Sequence, residues 1–144
     1  MAPKKGWVEV TIGIIQDGTL HHKGTLHALS PSLTVAEGEV LSVEEKFQGG
    51  TGVNMTPPPE QYVKPAVLAR VKKSAEKVAE VLNIEGYCRM DAFIQIDTGD
   101  LILIEVNTLP ALTPSTVLYH QSLAEKKPMY PLELLEKIVE NKAY

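Results

Sequence analysis

Cysteine is nearly missing from this chain, which has one thiol, Cys88, among 144 residues. A single cysteine excludes an internal disulfide and a zinc site built from several cysteines, and it favours a reducing, cytoplasmic compartment. Because Cys88 lies in a predicted strand, we expect a buried and inert side chain. Long apolar runs are also missing, since none approaches the roughly 20 residues that a membrane-spanning helix needs.

The chain has no excess of positive charge either, because 14 basic residues stand against 18 acidic ones and give a net charge of -4. A chain with this charge has no excess of basic residues to bind the phosphates of a nucleic acid, so we expect no such partner. The basic start of the chain leads into a strand pattern, and we expect no secretory signal. What remains is the composition of one packed domain, with 44% hydrophobic and 22% charged residues.

The spacing of apolar residues predicts a mixture of strands and helices. β-Branched residues predict a strand at 7–15, and weaker patterns predict strands at 26–29, 33–35 and 41–47. Asp17-Gly18 is typical of a turn. Helical spacing predicts helices at 65–83, 116–126 and 130–141, the first beginning at Pro65. Because the strands and helices do not alternate regularly, the pattern favours an α+β domain over a doubly wound sheet.

A hairpin is predicted where strands at 87–96 and 100–107 flank Asp97-Thr98-Gly99. A three-residue loop suits this sequence, because glycine stands where the backbone needs a positive φ. A two-residue turn at Thr98-Gly99 is the alternative, and it would shift the register by one residue. The second strand is apolar on both faces up to its polar end, which predicts a buried strand.

Four polar side chains on this hairpin form the candidate site. Arg89 and Asp91 are two residues apart and share a face, as do Glu105 and Asn107. With the three-residue loop, Asp91 lies opposite Glu105 and Arg89 opposite Asn107, whereas the shifted register puts the two pairs on opposite faces. Carboxylates this close repel each other unless a cation lies between them. Their oxygens are ligands that Mg²⁺ uses together with nucleotide phosphates, and the arginine would serve a phosphate or an oxyanion.

These residues resemble the closing motif of the D-alanine–D-alanine ligases, which are ATP-grasp enzymes. The match comprises Arg89-Met90-Asp91, the run LIEVNTLP from Leu103 to Pro110, and Thr113-Pro114-Ser115-Thr116. The resemblance extends from about Val8 to Leu135. It implies that residues 1–144 are the C-terminal half of an ATP-grasp domain, a mainly antiparallel sheet flanked by helices, without the first lobe and the N-terminal domain.

The resemblance also implies roles for the four hairpin residues. Asp91, Glu105 and Asn107 would hold two Mg²⁺ ions, or Mn²⁺ in their place, that bridge the phosphates of ATP. Arg89 would stabilise the acyl phosphate and the tetrahedral intermediate. The implied reaction phosphorylates the carboxylate of one D-alanine, after which the amine of a second attacks it to give the dipeptide, ADP and phosphate.

Further residues acquire roles from the same resemblance. Glu9 would contact the ribose hydroxyls, Ile104 would lie beside the nucleotide, and Lys46 would reach the phosphates. The hydroxyl of Thr116 would bind the carboxylate of the second amino acid. The backbone N–H of Ala111 would support the oxyanion.

The chain departs from the family at three places. At one of them Thr116 stands where the family often has serine, and the hydroxyl is kept. Ala111 replaces a glycine, which keeps the N–H but restricts φ. Phe47 replaces a tyrosine at the start of the expected mobile loop, Phe47 to Thr56, and removes one hydroxyl. These departures leave the reaction type in place and affect the expected choice of substrate.

Two alternatives to a D-alanine ligase stay open. One is an ATP-grasp ligase with other carboxylate and amine substrates. The other is a non-catalytic remnant that binds nucleotides, although such a remnant would not need to keep Arg89, Asp91, Glu105 and Asn107 together. For an enzyme we expect small-molecule partners, D-alanine and ATP, and the resemblance also admits a homodimer of the full-length protein.

Overall fold

The chain forms one antiparallel sheet with helices on both faces, in a computed structural model that describes residues 6–19, 22–36, 39–40 and 53–141. The described strands are β1 (Trp7–Thr19), β2 (His22–Ala28), β3 (Ser32–Ala36), β4 (Glu39–Val40), β5 (Val53–Met55), β6 (Tyr87–Gln95) and β7 (Leu101–Asn107). The described helices are α1 (Pro65–Val81), α2 (Val117–Leu123) and α3 (Pro131–Glu140). This architecture confirms the predicted α+β class.

Strand β1 organises the sheet, because it pairs with β6 on one side and with two strands in succession on the other. Its first half pairs with β3 and its second half with β2. The turn predicted at Asp17-Gly18 is wrong, since β1 continues through both residues to Thr19. The pairing with β2 becomes irregular there, opposite Gly24, where an added Cβ would lie 1.4 Å from the carbonyl oxygen of Asp17. Only glycine fits that approach of two backbones.

A side chain of α2 completes the backbone hydrogen bonding of β1 where β1 changes partner. Gln121 is fully buried and accepts a hydrogen bond from Gly13 N at 2.8 Å. Its Nε2 donates to Thr11 O at 2.9 Å and to Ser32 Oγ at 3.0 Å. A glutamine amide offers the same donor and acceptor as a backbone peptide, so it substitutes for the missing strand. A Cβ on Gly13 would lie 2.5 Å from Leu118 Cδ2, so glycine lets α2 lie directly on the sheet.

Two hydrophobic cores lie on opposite faces of the sheet. Helix α1 covers the first face, and the buried members of that core include Val10, Ile12, Ile14, Val67, Val71, Ala75, Met90 and Ile94. Helices α2 and α3 cover one end of the second face, around Ile15, Leu29, Tyr87, Leu118, Leu134 and Ile138. The rest of the second face carries polar side chains, among them Asp91, together with exposed apolar ones such as Ile102. Of the helices in the described ranges, none is long and apolar enough to cross a membrane.

Part of the segment predicted as a mobile loop is a strand. Val53–Met55 forms β5, and Met55 pairs with Leu33 of β3 and packs against the first core. Three residues are too short to show a strand pattern between glycines and prolines, which explains the wrong prediction. Residues 41–52, which include the predicted strand at 41–47, Lys46 and Phe47, lie outside the described residues.

The buried thiol of Cys88 supports a first prediction. Cys88 is fully buried in β6, and burial raises the pKa of its thiol to about 12. Because the thiolate is the reactive form, we expect iodoacetamide not to modify the folded chain near neutral pH. The measurement is the mass of the chain after incubation, with a urea-unfolded sample as the control. Modification of both samples at similar rates would show that the thiol is accessible and the prediction wrong.

Candidate active site

The candidate site lies on the hairpin of β6 and β7, whose pairing brings the four predicted residues together. Asp91 lies opposite Glu105, and Arg89 lies opposite Asn107. Directly opposed residues of antiparallel strands point to the same face, with Cβ atoms about 5 Å apart. The predicted juxtaposition of the two pairs is therefore confirmed.

The hairpin reaches this register by a different route from the predicted one. Its loop comprises residues 96–99, because Gln95 N donates to Asp100 O at 2.9 Å, and so it has four residues rather than three. Next to the loop, Ile94 pairs with Leu101, whereas the predicted register would pair it with Ile102. A bulge at Ile104 then adds a residue to β7 and restores the predicted pairing at Asp91. Gly99 does have the predicted positive φ, 76°.

Strand β7 is half-buried on one face and exposed on the other, which corrects the prediction of a strand buried on both. Leu101, Leu103 and Val106 pack against the first core. Ile102 and Ile104 are 53% and 44% exposed. The reason is that α2 and α3 cover only one end of the second face, so the outer face of β7 meets solvent. The bulge leaves Ile104 and Glu105 consecutively exposed on that face.

Asp91 is the most buried carboxylate of the site, and both of its oxygens have partners. Thr11 Oγ1 donates to Asp91 Oδ1 at 2.6 Å, and Arg89 Nη2 donates to Oδ2 at 3.2 Å. The Asp91 side chain is 9% exposed and that of Arg89 is 31% exposed. Arg89 Nε is buried without a hydrogen-bond partner within the described part of the chain. The site therefore holds a fixed carboxylate beside a cation that is partly open to solvent.

The donor set fits Mg²⁺ bound together with a phosphate ligand. Glu105 and Asn107 are exposed, and Asn107 Oδ1 accepts one bond, from Leu109 N at 3.3 Å, which leaves it a second lone pair. Among the described residues no group of three or more His, Cys, Asp or Glu side chains could hold a metal by itself. Two carboxylates and an amide fill only part of an octahedral shell, and phosphates and waters ordinarily complete it for Mg²⁺.

Two of the residues with predicted nucleotide roles lie on the same face of the sheet. Glu9 is half-buried and precedes Thr11 by two residues on β1, so it shares the face of Asp91. Ile104 is exposed beside Glu105. The third, Lys46, is not among the described residues.

The loop after β7 holds the two residues with predicted substrate roles. Ala111 is exposed, and among the described residues other than glycine only Asn83 has a positive φ. Alanine is therefore unstrained in place of the family's glycine. Thr116 is the half-buried N-cap of α2, where its hydroxyl accepts a hydrogen bond from Leu118 N at 3.5 Å.

The sequence-based prediction missed the two residues that hold the site in place, Thr11 and Gln121. Thr11 follows Glu9 by two in a predicted strand, so the alternation of side chains already placed both on one face. Its contact with Asp91 depends on the pairing of β1 with β6, which are far apart in the sequence. No local sequence signal identifies Gln121. Its amide bonds to β1 at the point where β1 changes partner from β3 to β2, and that point exists only once the strands have paired.

An antiparallel sheet that carries carboxylate and amide oxygens beside an arginine is the arrangement that the motif predicted. The model of the family described as "D-ala D-ala ligase C-terminus" matches residues 6–140. The chain therefore belongs to the D-alanine–D-alanine ligase C-terminal family.

Curated proteins named D-alanine–D-alanine ligase match most of this chain. The D-alanine–D-alanine ligase of Nitratidesulfovibrio vulgaris is 33% identical over 118 residues, which are 81% of this chain and 35% of that protein. The ligase of Lawsonia intracellularis is 31% identical over 132 residues, which are 92% of this chain and 39% of that protein. The chain thus spans about a third of the length of the curated relatives it matches.

Solved structures share the fold at lower identity. The D-alanine–D-alanine ligase from Coxiella burnetii matches with a TM-score of 0.68 at 15% identity, over 98% of this chain and 33% of that one. The ligase from Bacillus anthracis, solved in complex with ATP, matches with a TM-score of 0.61 at 22% identity, over 96% of this chain and 37% of that one. At these identities the likeness establishes the fold of the described residues.

Proposed function

We propose that this chain supplies the metal-binding and acyl-phosphate-stabilising part of a cytoplasmic D-alanine–D-alanine ligase that uses ATP and Mg²⁺, or Mn²⁺ in its place. The observation that carries the proposal is the cross-strand placement of Asp91 and Glu105 beside Arg89 and Asn107 on an exposed sheet face. The names of the relatives support D-alanine as the substrate.

Asp91, Glu105 and Asn107 would hold Mg²⁺ together with the phosphates of ATP. When bound, the ion supplies charge neutralisation for the phosphoryl group that is transferred. The guanidinium of Arg89 lies on the same face, where it would stabilise the oxygens of the acyl phosphate and of the tetrahedral intermediate. Its bond to Asp91 fixes the direction of the side chain before substrates arrive.

The remaining residues would orient the substrates around this centre. Glu9 would accept hydrogen bonds from the ribose hydroxyls, and Ile104 would offer an apolar surface beside the base. Lys46 would add a positive charge at the phosphates. The N–H of Ala111 would donate to the oxyanion, and the hydroxyl of Thr116 would bind the carboxylate of the second D-alanine. Orientation and charge stabilisation of this kind account for most of the catalysis in phosphoryl transfer.

Binding of Mn²⁺ tests this proposal on the purified chain. Because Mn²⁺ is paramagnetic, it broadens the NMR signals of nearby amides even when it binds weakly. We expect selective broadening at Asp91, Glu105 and Asn107, and we expect Glu105→Gln to remove most of it, because a neutral amide is a poorer ligand for a hard cation.

Glu136→Gln is the matched control, because it makes the same charge change at an exposed position on α3. It should leave the broadening unchanged. A broadening pattern centred elsewhere, or one that Glu105→Gln and Glu136→Gln reduce equally, would mean that the ion responds to overall charge, and the proposed site would be wrong.

A further inference from the structure

The hydroxyl of Thr11 makes the shortest bond to the candidate metal ligand Asp91. Thr11 lies opposite Asp91 in the pairing of β1 with β6, and its Oγ1 donates to Asp91 Oδ1 at 2.6 Å. A threonine hydroxyl has one proton to donate, and here it goes to the carboxylate. Bonds from a hydroxyl to an ionised oxygen are among the stronger ones in proteins, so this contact restricts rotation of the carboxylate.

Asp91 lies between two strands whose side chains would use its two oxygens differently. Thr11 lies on the β1 side, and Glu105 lies on the β7 side. With Oδ1 bonded to Thr11, the other oxygen, Oδ2, is the one that meets Arg89. A carboxylate oxygen accepts more than one bond, so Oδ2 is the oxygen that Thr11 leaves available for a cation.

We propose that Thr11 is a positioning residue, whose hydroxyl turns Asp91 so that Oδ2 faces the cation held with Glu105 and Asn107. This inference rests on the proposed function, because it concerns the same metal site. Partners of a ligating carboxylate orient the ligand and contribute to affinity without touching the ion. Thr11 does not contact the ion in this proposal, and it acts through Asp91.

Thr11 is itself held firmly enough for this role. Its carbonyl oxygen accepts from Gln121 Nε2 at 2.9 Å, and its cross-strand neighbour Ser32 bonds to the same amide. Ser32 Oγ is also 2.6 Å from Thr56 Oγ1. The branched Cβ of threonine limits the side-chain rotamers. A hydroxyl on a backbone fixed from α2 and β3 is a rigid anchor for the carboxylate beside it.

The test measures the affinity of Mn²⁺ for the whole chain by the same NMR broadening. Thr11→Val keeps the shape and the strand preference of the residue but removes the donor, and Thr11→Ser keeps the hydroxyl. We expect Thr11→Val to weaken Mn²⁺ binding about 10-fold, as is typical for the loss of a partner of a metal ligand. Thr11→Ser should restore most of the affinity. Thermal unfolding of each variant shows whether the fold is intact.

Thr34→Val is the matched control, since Thr34 Oγ1 also donates across a strand pair, to Asn54 Oδ1 at 2.7 Å. It should leave Mn²⁺ affinity unchanged. If Thr11→Val binds Mn²⁺ like the native chain while Glu105→Gln does not, Thr11 has no positioning role and the proposed function stands. If the native, folded chain shows no localised broadening, the proposed site fails and this inference fails with it.

Discussion

Replacing Gln121 by leucine is expected to destabilise the fold by about 3–5 kcal/mol, because it leaves several buried polar groups without partners. The amide of Gln121 bonds to Gly13 N, Thr11 O and Ser32 Oγ, and the residue is fully buried. Leucine has a similar volume but cannot replace these bonds. The loss is a large part of the ~5–15 kcal/mol that stabilises a typical domain.

Urea unfolding followed by circular dichroism measures this effect. Gln61→Leu makes the same change at an exposed position and serves as the control, for which we expect a change within about 0.5 kcal/mol. A loss of less than about 1 kcal/mol for Gln121→Leu would show that water or a shifted strand replaces the amide. In that case the hydrogen bonds of Gln121 would not be what holds α2 against the sheet.

The helices and most strands were predictable because their apolar spacing is local. Val67, Val71 and Ala75 recur at helical intervals, and they are buried against the sheet as that spacing requires. The predicted helix at 65–83 extended too far, since α1 ends at Val81 and Leu82, just beyond it, is 48% exposed. Spacing alone does not show where the sheet beneath a helix ends, so the limits of a helix are less certain than its existence.

The hairpin shows how a correct pairing followed from an incorrect loop. Sequence reasoning identified Gly99 as the residue with positive φ, but it did not anticipate the four-residue loop or the bulge at Ile104. The two errors cancel at Asp91. Nothing in the apolar run LILI at 101–104 marks a bulge, because each of these residues is compatible with either face of the strand.

The site residues were predictable from a motif, whereas the groups that hold them were not. Asp91 and Glu105 are close together in the sequence and belong to one hairpin. The alternation of side chains along each strand and the position of the turn therefore place them on the same face. Thr11 and Gln121 reach the site through pairings between distant parts of the chain. Such contacts follow from topology, which composition and periodicity do not specify.

We expect the 144 residues by themselves to release no phosphate from ATP when D-alanine is added. Glu105 and Asn107 are exposed, and Ile104 beside them is 44% exposed, so the candidate site faces water in the described structure. Charges in water stabilise a transition state weakly, and two substrates on an open face are not held in a reactive orientation. The family that the motif resembles holds the nucleotide between two lobes, and this chain spans about a third of its relatives' length.

A phosphate-release assay with ATP, Mg²⁺ and D-alanine tests this expectation, with the D-alanine–D-alanine ligase of Nitratidesulfovibrio vulgaris as the positive control. Weak Mn²⁺ binding together with no turnover is the combination expected if this chain carries the proposed metal ligands but leaves them open to solvent. Turnover that requires D-alanine and disappears in Glu105→Gln would contradict it. The open face of β6 and β7 would then be sufficient for catalysis, and the exposure of Glu105 would not limit the reaction.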